Sequence, residues 1–133
     1  MKQLFLITLV LTALNVHASQ VREVSSPNEF NYLISSNSKV VVDIFATWCG
    51  PCRRMAPIFA RLAAEHPDAL FIKVDADKAP QILQALGVDS FPTFKLYTNG
   101  QPYITINGSN EKKLEKAVKG LVASRSVADI DAD

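Results

Sequence analysis

The sequence predicts an α/β domain in which a mostly parallel sheet is covered by helices on both faces and carries one antiparallel edge hairpin. Three observations lead there. Strand-like and helix-like stretches alternate along the chain, the pattern that builds parallel sheets with crossover helices. The run Val40 to Ala46 is almost continuously apolar and β-branched, as a strand covered on both faces must be. Asn99-Gly100 separates two strand patterns, and such a dipeptide favours the tight turn of a hairpin. With 133 residues, of which 48% are hydrophobic and 20% charged, the chain has the length of one domain and a globular balance. Its net charge of +1 provides no broad field for nucleic acid or anionic lipid.

Each element has its own signal. Val21 to Val24 is a short strand pattern. Pro27 to Ile34 has Phe30, Leu33 and Ile34 at helical spacing, with Ser26 placed as the cap and Pro27 at the first helical position. After the Val40 to Ala46 strand, Met55, Ile58, Phe59, Leu62 and Ala63 mark an amphipathic helix that runs to about His66, where Pro67 stops it. Leu70 to Val74 is the next strand, and Pro80 to Leu86 a short helix closed by Gly87. Thr93 to Tyr97 and Tyr103 to Asn107 form the hairpin. Leu114, Ala117, Val118, Leu121 and Val122 make the last helix, on which Glu115 and Lys119 are spaced as an i,i+4 ion pair. Residues 123–133 are polar, with Asp129, Asp131 and Asp133, and are expected to form a flexible acidic tail.

The first eighteen residues read differently. Lys2 precedes an apolar run from Leu4 to Leu14, and small residues stand at Val16 and Ala18, the layout of a secretory signal peptide over 1–18 cleaved after Ala18. The run is too short to span a bilayer, which takes about 20 apolar residues. Cleavage therefore leaves no membrane span, and the expected domain covers 19–122. The mature protein is expected to be exported, to a periplasm, a secretory lumen or the outside of the cell, where disulfides persist.

The chain has two cysteines, Cys49 and Cys52, at the junction of the second strand and the long helix. Open α/β sheets place their chemistry outside the carboxyl ends of their strands. Three uses suit such a pair. A structural zinc ion wants four Cys or His ligands; His66, at the far end of the helix, is about 20 Å away at about 1.5 Å rise per residue, so only a dimer sharing ligands closes the site. A structural staple across so short a ring contributes about 2 kcal/mol, less than a longer loop. A redox centre accounts for the surroundings. The free N–H groups and positive dipole end of a helix N-terminus stabilise a thiolate on Cys49, and Cys52 lies one turn on, within reach to attack a mixed disulfide there. Pro51 suits the first turn because its missing N–H had no partner to lose. Gly50 lets another backbone approach.

Ala46-Thr47-Trp48-Cys49-Gly50-Pro51-Cys52 resembles the active site of the thioredoxin family, and the resemblance extends over about residues 21–122. It implies the thioredoxin fold: α/β, with a central five-stranded mixed sheet flanked by four helices. It implies that Cys49 is the nucleophile, Cys52 the resolving thiol, and the Cys49–Cys52 disulfide the only redox group, with no metal and no other cofactor. Asp43 matches the family's buried acid and is the implied proton acceptor for Cys52. Alternation in the strand puts Asp43 on one face with Val41 and Phe45, so an apolar setting is expected to raise its pKa. Lys73, in Ile72-Lys73-Val74-Asp75, matches the lysine beside that acid and is expected to moderate it. Phe91-Pro92-Thr93 matches the family's cis-proline loop, and Gly108 the glycine at the exit of the last strand. With Trp48, Gly50 and Pro51, the residues Phe91, Pro92 and Gly108 form the expected substrate surface. Phe45 replaces the tryptophan of many relatives, and Phe91 is bulkier than their usual aliphatic residue.

The expected function is thiol–disulfide exchange, with the Gly50-Pro51 pair resembling the family's reducing members. An oxidase or isomerase, or a binding module that uses the same groove without redox turnover, is the alternative. The expected partners are protein disulfides and an upstream thiol reductase or other electron donor, with the protein itself a monomer. N-terminal sequencing of the exported protein is expected to begin at Ser19; an intact Met1 would overturn the signal-peptide reading.

Overall fold

The structure, a computed structural model, describes residues 20–124. The expected signal peptide, 1–18, and the tail from 125 to 133 lie outside the described residues. Nine elements follow one another: β1 (Val21–Glu23), α1 (Pro27–Ser36), β2 (Lys39–Phe45), α2 (Gly50–Glu65), β3 (Leu70–Asp75), α3 (Pro80–Leu86), β4 (Thr93–Thr98), β5 (Gln101–Asn107) and α4 (Glu111–Ala123). α4 takes in Ala123, which the sequence assigns to the tail, and the Ser124 N–H bonds back to the Gly120 and Leu121 carbonyls.

The local signals act as their chemistry requires. Ser26 caps α1 by accepting from the Glu29 N–H, with Pro27 in the first turn. Asn110 caps α4 by accepting from the Lys113 N–H at 3.0 Å. Gly87 ends α3 in the left-handed region, at φ 66°, where a Cβ would be unfavourable. Asn99 and Gly100 both have positive φ, 50° and 78°, the geometry of the turn that matches the strand twist. Glu115 departs from the sequence reading. It pairs with Arg61 of α2 at 2.5 Å, tying two helices together, and not with Lys119 on its own helix. Arg61 also contacts Glu65 and Glu111.

The strands form one sheet in the order β1-β3-β2-β4-β5. β1, β3 and β2 run parallel, while β4 runs antiparallel to both β2 and β5. The antiparallel portion is thus larger than the single edge hairpin read from the patterning, and the five-stranded mixed sheet that the resemblance implied is what forms. The difference has a physical reason: side chains alternate with the same period of two in either strand direction, so apolar patterning does not reveal how β4 re-enters.

β2 is central and buried along most of its length. Its two faces support two cores. Val40, Val42 and Ile44 pack with Phe30, Leu33 and Ile34 of α1 and Ile82 of α3. Val41 packs on the other side with Met55, Phe59 and Leu62 of α2 and Leu114, Val118 and Leu121 of α4. Lys39, at the start of β2, donates from Nζ to the Val122 carbonyl at 2.8 Å, which places a cation at the negative end of α4. Asp43 lies on the α2 side of this strand, and the chain leaves β2 directly into the cysteine loop.

Candidate active site

The N-terminus of α2 is built on Cys49. Its backbone is extended, φ −89° and ψ 112°, and its side chain takes the role of the cap. The Cys52 N–H donates to Cys49 Sγ at 3.2 Å, so the sulfur receives one of the helix's otherwise unpartnered donors. Gly50 and Pro51 fill the first turn. Cys49 and Cys52 are joined as a disulfide with Cα atoms 5.3 Å apart. Both are buried, at 7% and 4% exposure, whereas Trp48 just before them is 65% exposed. The free N–H and dipole of the helix end favour negative charge at Cys49 when the bond is reduced.

A second segment faces the sulfurs. The Phe91–Pro92 peptide bond is cis, and the Phe91 carbonyl oxygen lies 3.6 Å from Cys49 Sγ. This loop is fastened on both sides. The Gly108 N–H donates to the Pro92 carbonyl at 2.8 Å, and Thr93 Oγ1 donates to the Ser90 carbonyl at 2.7 Å. Gly108 has φ 93° with open space where a Cβ would stand, and the backbone conformation is what asks for glycine. The Trp48 and Phe91 rings meet edge to face, 5.9 Å apart. Of the residues expected as one substrate surface, Phe91 packs against the disulfide and meets Trp48, and Gly108 is joined to the same loop through the Pro92 carbonyl, although 60 positions separate Trp48 from Gly108.

Beneath the disulfide, on the α2 side of the sheet, is a cleft of about 260 Å3 whose walls include Asp43, Lys73, Cys52, Arg53 and Thr47. Asp43 is 5% exposed, and its Oδ1 has no hydrogen-bond partner among the described residues. Burial pushes its carboxyl from 3.8 up to about 7, and the Lys73 ammonium moderates the rise. Desolvation wins over the nearby cation because Lys73 is itself well exposed, with 42% of its side chain accessible, and water screens it. The sequence reading places Lys73 beside Asp43, and the register pairing of the two strands brings that about; Cys52 lines the same cleft. Two contributors escape sequence reasoning. Arg53 lines the cleft, and Thr93 holds the cis-proline loop. The adjacency of Arg53 to Cys52 was the available signal; Thr93 stands in the Phe91-Pro92-Thr93 match, but that motif does not encode its bond to the Ser90 carbonyl.

The family profile described as Thioredoxin matches residues 21–120. The chain is 44% identical over 99 residues to Thioredoxin-1 of Schizosaccharomyces pombe, covering 74% of this chain and 96% of that protein. It is 40% identical over 103 residues to the mitochondrial Thioredoxin-3 of Saccharomyces cerevisiae, covering 77% and 81%. The chain belongs to the thioredoxin family. Among solved structures, oxidised mitochondrial thioredoxin 3 from Saccharomyces cerevisiae superimposes with a TM-score of 0.74 at 40% identity, over 78% of this chain and all of that one. The fold is the thioredoxin fold, and the protein is a thiol–disulfide oxidoreductase with Cys49 and Cys52 as its dithiol/disulfide pair.

Asp43 also leaves a thermodynamic signature. In the unfolded chain its carboxyl has the ordinary value of 3.8, and in the folded one about 7. Between these values the native state holds the extra proton, so stability falls as pH rises, and the full penalty is present above pH 7. At about 1.4 kcal/mol per pH unit, the raised carboxyl corresponds to about 4 kcal/mol. Asp43→Asn is therefore expected to be more stable than the parent at pH 8, with the gain vanishing toward pH 4. Urea denaturation across that range checks it, and a gain independent of pH would contradict the assignment.

Proposed function

We propose that this protein is an exported protein-disulfide reductase whose working parts are Cys49, Cys52, Asp43 and the Phe91–Pro92 loop. The observation that carries the reading is the double placement of Cys49, as the cap of α2 and against the Phe91 backbone. The same sulfur is stabilised as a thiolate and presented to an extended chain.

In the reduced protein, the Cys49 thiolate attacks one sulfur of a substrate disulfide. A Cys49–substrate disulfide forms, and the other substrate sulfur leaves as a thiolate and takes up a proton. Cys52, one turn along α2, then gives its proton to Asp43 and attacks Cys49 Sγ. The Cys49–Cys52 disulfide forms and the second substrate thiol departs. An acid with a proton affinity near neutrality can accept that proton and release it again. Lys73 tunes this affinity. The substrate backbone runs along Phe91 and Pro92, with Trp48 and Gly108 flanking it and Gly50 and Pro51 leaving room at the helix end. Two thiols of the protein supply both electrons, so no metal or other cofactor enters the reaction. An upstream thiol reductase or other electron donor restores the dithiol. The protein works as a monomer, since the groove is complete within one chain.

Export rests on residues 1–18. The family profile begins at residue 21, so residues 1–18 precede the matched domain. They contain Lys2 but no Arg and no Ser, unlike the Arg- and Ser-rich amphipathic leaders of mitochondrial import. The reductive direction rests on the Gly50-Pro51 dipeptide between the cysteines.

A Cys52→Ser variant is expected to accumulate covalent protein adducts through Cys49 that dissolve on adding a small thiol, and Cys49→Ser to accumulate none. Adducts formed equally by Cys49→Ser would remove Cys49 from the role of nucleophile. Equilibrated against glutathione, the pair is expected to be the more reducing couple; a potential well above that of glutathione would make the protein an oxidase or isomerase.

A further inference from the structure

Three charged residues stand in one row across the parallel half of the sheet. The register pairs Glu23 of β1 with Lys73 of β3, and Lys73 with Asp43 of β2. Glu23 and Lys73 are open to solvent, with 39% of the Glu23 side chain and 42% of the Lys73 side chain accessible. Lys73 thus has a carboxyl on either side. Its Nζ lies 3.9 Å from Glu23 Oε2, and its side chain lines the cleft that contains the buried Asp43. Glu23 is held from a second direction by Lys78, whose Nζ lies 3.4 Å from Oε1.

We propose that Glu23 is a positioning residue for the redox site. By anchoring the Lys73 ammonium toward the edge of the sheet, it limits how firmly that cation holds Asp43 in its charged form. The inference rests on the reading of Asp43 as the proton acceptor for Cys52. Its physical content is competition between two carboxyls for one cation, since a cation lowers a carboxyl's proton affinity more strongly the closer it comes.

The other groups around Asp43 leave this competition visible. α2 brings Cys52 and Arg53 to the cleft. β4 presents apolar Phe94 at the opposing register position. Asp75, farther along the same face of β3, turns Oδ1 to the Asp77 N–H at 3.0 Å. Glu23 reaches Asp43 through Lys73 alone. Removing the Glu23 charge frees the ammonium to move inward, which favours ionised Asp43. Because the Glu23–Lys73 pair is partly exposed, solvent screening keeps the effect to about half a pH unit.

Carboxyl titration by NMR on the oxidised protein tests this without any turnover. Glu23→Gln is expected to lower the Asp43 midpoint by about half a pH unit, and Lys73→Met to raise it. The double variant is expected to titrate like Lys73→Met. A folded Glu23→Gln protein with an unmoved Asp43 midpoint would overturn the proposal, as would an equal shift in the Lys73→Met background, because Glu23 would then act without its lysine. A purely structural Glu23 would change the denaturation midpoint and leave the Asp43 titration where it was. The proton-acceptor reading fails by a separate sign: a resolving step whose pH profile is the same in Asp43→Asn as in the parent.

Discussion

The burial of one carboxyl in the central strand is the constraint to which the rest of the site is fitted. β2 is paired on both edges and covered on both faces, so a side chain on it has little access to water. An acid there destabilises the fold at neutral pH unless it keeps its proton. A domain with two full cores tolerates that, and the tolerance yields a group that exchanges a proton at the pH where thiols are being activated. The Lys73 ammonium is set far enough into solvent to moderate the acid without fixing it as a permanent anion.

The two cysteines share this division between rigidity and access. α2 is fixed by the burial of Met55, Phe59 and Leu62 and by the Arg61 contacts to α4. Its first turn is thereby held still against the sheet. The facing loop is held by β5 through the Gly108–Pro92 hydrogen bond and by Thr93. A reaction between sulfurs needs approach along a defined line, and these contacts hold both sides of that line. Trp48 and Phe91 add an apolar surface beside the disulfide.

Much of this was legible before any coordinates. The helices announce themselves by apolar spacing and by caps such as Ser26 and Gly87, because those signals are local. Cys49, Cys52 and Asp43 were legible because neighbours in sequence set their environment: a strand end, a helix start, an apolar run. Strand direction was not, since β4 has the same alternation whichever way it runs. Nor was the partner of Glu115, since the spacing to Lys119 is encoded within one helix while Arg61 comes from another. Glu23 was hidden for a related reason. Its place beside Lys73 depends on β1 joining the sheet next to β3, a fact of strand order that a separation of 50 positions conceals.

Trp48 is the sole tryptophan in the chain, and it stands next to Cys49, exposed and touching Phe91 at an edge. Disulfides drain the excited state of a nearby indole, whereas thiols do so less. The molecule therefore carries its own optical gauge, one lamp beside one switch. Its emission follows the state of the sulfurs without a label, and a partner that covers the ring changes the colour of the same light.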